Sequence, residues 1–180
     1  EKGNLVDHII VPSDHSAQVY RNTSYDVVIN DTQQEIKGYK CTKPISVVSY
    51  PVKEFNTEDL TLDLETDFNF LSVAQWGPRK NLENSIRWFV EEFIDQNVGL
   101  VVKTNFIKNS LIDRNKCIKS IQNLLSNKNY ANRKCKIYLL HGEMNDKEMH
   151  SLYNDPKIKA FISTTHGEGF GLPFFEAAYE

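Results

Sequence analysis

From residue 70 onward the chain alternates short apolar runs with longer segments of helical period, and this alternation limits the possible folds more than any other feature. Phe70-Leu71-Ser72-Val73-Ala74 is a compact apolar run closed by the turn signal Gly77-Pro78. After it Leu82, Ile86, Phe89, Val90, Phe93 and Ile94 fall on one face of a helix. Leu100 to Val102 form a second core run, followed at helical spacing by Leu111, Ile118, Ile121 and Leu125. Ile137 to Leu140 repeat the strand signal. Asn145 with Glu148 three residues later predicts the capped start of a helix carrying Met149, Leu152 and Tyr153. Ala160 to Ser163 read as a last strand, and Pro173 stands where the first turn of a helix tolerates it. Strands separated by helices have the crossovers that parallel pairing requires, so the expected fold is α/β, a parallel sheet with helices on both faces.

The first quarter breaks this rhythm. Ile9-Ile10-Val11, Val27-Val28-Ile29 and Ile45 to Val48 predict three short strands with little helical pattern between them. Glu54 to Asp67 carries six carboxylates and no basic residue, and is expected to be a solvated connector. At 180 residues the chain can bury about 70% of its unfolded surface, enough for one sizeable core. A net charge of -3 gives no general reason for nucleic-acid binding, and no apolar run reaches the ~20 residues of a membrane helix. The start EKGNLVDHII lacks the pattern of a signal peptide, so a cytoplasmic location is the default expectation. Cys41, Cys117 and Cys135 have no CxxC spacing and read as buried thiols, with no metal site expected.

The stretch HGEGFGLPFFEA, His166 to Ala177, holds three glycines, a proline and the carboxylates Glu168 and Glu176 eight positions apart. Glycines after a buried strand let backbone amides approach a ligand, and the helix start near Pro173 adds partial positive charge, which together favour a phosphate. The spacing is not GxGxxG, and the chain contains no GxxxxGK[ST]. Carboxylates repel phosphate but accept hydrogen bonds from neighbouring hydroxyls. Phosphate together with hydroxyls points to a sugar nucleotide.

Glu168-Gly169-Phe170-Gly171-Leu172-Pro173-Phe174-Phe175-Glu176-Ala177 resembles the EGFGLPxxEA signature of the retaining group 1 glycosyltransferases, two-lobed enzymes of GT-B architecture. Pro78-Arg79-Lys80-Asn81-Leu82 is similar to the PRKNL segment of sugar-transferring members, and Gly142 to Tyr153 is more weakly similar to the loop and helix before the final strand. The resemblance covers about residues 68 to 180 and implies a Rossmann-like donor lobe. It implies that residues 1–44 are the end of a preceding lobe and its linker, and 45–180 a nucleotide-sugar-binding lobe truncated at its C-terminal end.

The family's roles, carried to matching positions, make Glu168 the residue that orients the donor sugar and Glu176 the one that binds the ribose hydroxyls. The backbone of Gly169, Phe170, Gly171 and Leu172 would face sugar and diphosphate. Lys80, with Arg79, would neutralise the diphosphate as the glycosidic bond breaks, so that no cofactor or metal is implied. The implied partners are a nucleotide sugar donor and a saccharide or lipid-linked acceptor. Ala74-Gln75 departs from the family's usual Gly-Arg, leaving Arg79 to compensate, and Thr165 replaces a common Ser. His141 reads as a strand end rather than a base, and Trp76 as a packing residue at the cleft's mouth. Lys103 to Lys136 holds nine basic residues against Asp113. A solvated helix face explains that excess most simply; no nucleic-acid partner is expected, and peripheral association with an anionic membrane stays open. The competing readings are a nucleotide-sugar-binding module without transferase activity, and a sugar-nucleotide epimerase or phosphorylase of similar architecture.

Overall fold

A computed structural model of the chain describes residues 2–51 and 53–180 and resolves two compact units, one up to Lys53 and one from Glu54 to Glu180. The first contains β1 (Ile9–Val11), α1 (Asp14–Asn22), β2 (Ser24–Ile29), β3 (Gln34–Lys40) and β4 (Ile45–Val47). β1 and β4 pair in parallel, Ile9 opposite Ile45, with α1 packed against both. β2 and β3 form an antiparallel hairpin whose turn holds Gln33 in the left-handed region at φ 55°. The three expected strands are present, but α1 and β3 had not been foreseen. α1 buries only Ala17, so it has no apolar stripe to read; its start is fixed by Ser13, which accepts the Ser16 amide at 3.2 Å. β3, QEIKGYK, is a strand because β2 pairs with it.

The second unit follows the predicted alternation: β5 (Asn69–Val73), α2 (Leu82–Glu92), β6 (Gly99–Lys103), α3 (Leu111–Leu125), β7 (Lys136–Leu140), α4 (Asp146–Tyr153), β8 (Ile158–Phe161) and α5 (Leu172–Tyr179). The four strands are parallel in the order β7-β6-β5-β8. Successive residues of β6 serve opposite faces. Leu100 and Val102 join Ile86, Phe89 and Val90 of α2 and Ile121 of α3, while Val101 joins Leu71 and Leu152 of α4. Each such aliphatic side chain contributes about 1.5–3 kcal/mol by leaving water. The capping box at Asn145 and Glu148 forms as its spacing predicts.

Two expectations about the first part of this unit change. The acidic stretch is no free connector: from residue 60 its side chains alternate, Leu60, Leu62, Leu64 and Thr66 inward and Thr61, Asp63, Glu65 and Asp67 outward. The leucines cover the β-sheet face that α4 leaves open, while the intervening acids stay in water, so the strand-like alternation serves both. Thr66 is anchored in a buried polar knot, where Asn69 Nδ2 donates to its carbonyl at 2.7 Å and Tyr138 Oη lies 3.2 Å from its hydroxyl. The unit boundary falls after Lys53 rather than at 44, because β4 pairs with β1.

Candidate functional site

The strand order reverses at β5: the chain moves outward to β6 and β7, then returns to place β8 on the other side of β5. Loops leaving the C-terminal ends of β5 and β8 are therefore adjacent, at the switch point where open α/β sheets bind ligands. These two loops carry the motifs singled out in the sequence.

The first loop is held rigidly. The Trp76 amide donates to Asn105 O at 2.8 Å, its indole stacks on Phe106 at 5.1 Å, and its Nε1 donates to Glu83 at 3.3 Å. Trp76 is thus a packing residue. Gln75 donates to Phe106 O at 2.8 Å, so its amide braces the loop. Pro78–Lys80 make a 3-10 turn that ends at Asn81, whose φ of 55° is a left-handed conformation that Asn adopts more readily than most residues. Asn81 then starts α2 and donates to Thr164 O at 3.1 Å, joining the first loop to the second. A second tie comes from the Arg79 carbonyl, which accepts from the His166 amide at 2.9 Å and from Thr165 Oγ1 at 3.1 Å.

Between these ties the charges meet. Lys80 Nζ donates to Glu168 Oε1, and Arg79 Nη1 donates to Glu168 Oε2 at 3.3 Å and to Gly167 O. Hydrogen bonding from Lys80 holds the Glu168 carboxyl below its usual range, with Arg79 adding to the effect and partial burial opposing it. The lysine and glutamate side chains are 18% and 19% exposed against 60% for Arg79, so Arg79 is the one free to reorient toward a ligand. Two cations and one carboxylate leave a net positive charge. Beside it, Gly171 at φ 83° turns the chain into α5, with Pro173 in the first turn. The Leu172 amide at that helix start has no carbonyl four residues back within the helix to bond. The structure therefore brings together Lys80, Arg79, Glu168 and the Gly169–Leu172 backbone at an anion-favouring corner.

Glu176 has different company. Tyr153 Oη donates to its Oε2 at 3.2 Å, linking α4 to α5. Burial raises the Glu176 pKa, the Tyr153 bond opposes that rise, and Asp146 and Glu180 add to it. Burial, together with Glu176, raises the tyrosine in turn. His166 lies exposed in the loop.

Sequence reasoning missed two groups at this end of the sheet. Lys103, opposite Val73 in the strand register, directs its ammonium to Gly142 O; burial lowers its pKa. Asp113, on the first turn of α3, accepts the Phe106 and Ile107 amides at 2.9 and 3.0 Å and His141 Nε2 at 3.0 Å. Burial alone would raise the Asp113 carboxyl, but the His141 and backbone bonds outweigh it and hold the group at about 2. The available signal was an acid three residues after the helix cap Ser110.

No protein-family model matches the chain, and no curated protein matches it. Solved structures do. The chain is similar to a mutant of S. aureus TarM in complex with fondaparinux, alpha-GlcNAc-glycerol and UDP, at 16% identity and TM-score 0.53, covering 98% of this chain and 29% of that one. It is similar to apo OtsA at 12% identity and TM-score 0.51, covering 95% and 43% of the two chains. It is also similar to the E. coli trehalose-6-phosphate structure bound with UDP-2-fluoro glucose, at 11% identity and TM-score 0.52, with 95% and 43% coverage. The chain has the α/β fold of the GT-B glycosyltransferases and spans less than half the length of each of these structures.

Proposed function

We propose that the unit from Glu54 to Glu180 serves as the donor-binding lobe of a retaining glycosyltransferase, which transfers a sugar from a nucleoside diphosphate sugar to a saccharide or lipid-linked acceptor. The observation that carries this reading is the Lys80–Glu168–Arg79 cluster, assembled between the β5 and β8 loops beside the start of α5. Its net positive charge suits a diphosphate, and Glu168 offers acceptor oxygens for the sugar hydroxyls. Glu176 would take the ribose hydroxyls. UDP and UDP-2-fluoro glucose in two of the similar structures make uridine donors the first to test.

In the proposed reaction the bond between the anomeric carbon and the diphosphate oxygen breaks while the acceptor hydroxyl adds on the same face. The acceptor proton passes to the departing phosphate. Arg79 and Lys80 stabilise the charge that grows on that leaving group, the kind of term that commonly dominates an enzymatic rate. No metal is required for that step, because two cations already stand there.

Calorimetric titration with UDP, GDP, ADP and their glucose conjugates tests the reading. One nucleotude class should bind selectively, and Lys80→Ala and Glu176→Ala should each weaken it about tenfold or more, as expected for lost charge-assisted hydrogen bonds. Folded protein that binds none of them would overturn the proposal. Donor binding without nucleotide release in the presence of sugar acceptors would favour the binding-module alternative.

A further inference from the structure

We propose that Asp113, Cys117 and His141 form a buried transition-metal site whose mixed oxygen, sulfur and nitrogen donors suit Zn2+. One potential ligand atom from each lies within 4.8 Å of the others. His141 Nε2 is 3.0 Å from Asp113 Oδ2, and Cys117 Sγ is 4.0 Å from the same oxygen. Bond lengths of about 2.0–2.3 Å to a tetrahedral zinc place its ligands roughly 3.3–3.8 Å apart, between those two separations. The third pair, Cys117 Sγ and the His141 ring nitrogen, lies within 4.8 Å, so side-chain rotation must draw the ligand atoms together to close on the ion.

The chain dictates this convergence without a CxxC pattern. Asp113 and Cys117, four residues apart on α3, share one helix face, and His141 is the first residue beyond β7. The three side chains are enclosed: those of Asp113 and His141 are 8% and 2% exposed, and Cys117 is fully buried. Among the described residues no Lys or Arg forms a salt bridge with Asp113. A dication would neutralise this carboxylate and a Cys117 thiolate together. Without it, burial and the Asp113 charge hold the thiol protonated. Binding transfers the Cys117 thiol proton to solvent. The proton that His141 Nε2 donates to Asp113 must also leave that nitrogen, with the ring proton then on Nδ1, so that Nε2 can ligate.

The outer groups support the carboxylate. The Phe106 and Ile107 amides that donate to Asp113 fix its plane, as backbone groups around protein metal ligands do. Three protein ligands leave a fourth position for water. Such a site would staple α3 to the end of β7 and to the loop whose Phe106 stacks on Trp76. It stands independently of donor binding.

Chelator-treated chain titrated with Co2+ tests the assignment by absorbance. The expected result is one Co2+ per chain, with a thiolate-to-cobalt charge-transfer band that stoichiometric Zn2+ abolishes. Cys117→Ser should remove the band, and both Cys117→Ser and His141→Gln should weaken Zn2+ binding by at least about tenfold. Cys135→Ser should leave both signals intact, with circular dichroism confirming that each variant is folded. The proposal is overturned if the wild-type chain gives no thiolate band, or if the band survives Cys117→Ser.

Discussion

Glu168 and Glu176 are the same residue type eight positions apart, yet their surroundings push them in opposite directions. Lys80 lowers the Glu168 pKa, whereas burial raises that of Glu176. A carboxyl lowered in the folded state contributes stability above its unfolded value, about 4.3, and loses it as pH falls through the folded value. A raised carboxyl does the reverse: ionising it costs stability as pH rises from the unfolded value through the folded one. Glu176→Gln should therefore melt at or above the wild-type temperature at pH 7, and the difference should fade toward pH 4. Its nucleotide affinity should nevertheless fall about tenfold or more. Glu168→Gln should lose stability at pH 7 and approach wild type in acid. Melting curves across this pH range check both signs, and a Glu176→Gln that melts lower at neutral pH would contradict the assigned environment. The sequence named both carboxylates, but not their opposite titration, because Lys80 and Tyr153 reach them only through the fold.

At the scale of elements, the stretch from residue 60 to 66 shows why composition misleads. Its acids suggested solvent, but the period-two placement of its leucines was the better signal. Thr66 locks that strap against the start of β6. A Cβ at Gly99 would lie 2.0 Å from Asn69 Oδ1 and 2.6 Å from Thr66 Oγ1, so the position admits no side chain without moving the knot. Gly99→Ala should destabilise the chain by about 1–3 kcal/mol in urea denaturation. Gly167→Ala, facing open space at a backbone angle that L residues adopt, should change stability little. Equal midpoints for the two variants would rule out the knot as a stabilising contact. α2 to α4 were legible because each presents an apolar face or a cap, and α5 because Pro173 marks its first turn. α1 was not, since Ala17 is its only buried residue, and β3 depends on its partner strand.

In the whole molecule, burial is concentrated in the second unit, where Leu100, Val101 and Val102 of β6 are at most 1% exposed. The β2–β3 hairpin of the first unit is largely exposed along both strands. Amide exchange should follow that contrast, with β6 protected at least about 100-fold more than β2 and β3, because exposed pairs open locally while central strands open with the core. Comparable protection would show that the first unit has a stability the burial pattern does not reveal. The sequence by itself determined the α/β alternation, the helix caps and the motif residues, all set by local periodicity and by contacts a few residues apart. The strand order, the fold of the strap onto the sheet, the pairing of Lys80 with Glu168 and the meeting of Asp113, Cys117 and His141 were decided only by tertiary structure. Lys80 and Glu168 are 88 positions apart and Asp113 and His141 28, so their distances depend on which strand lies beside which.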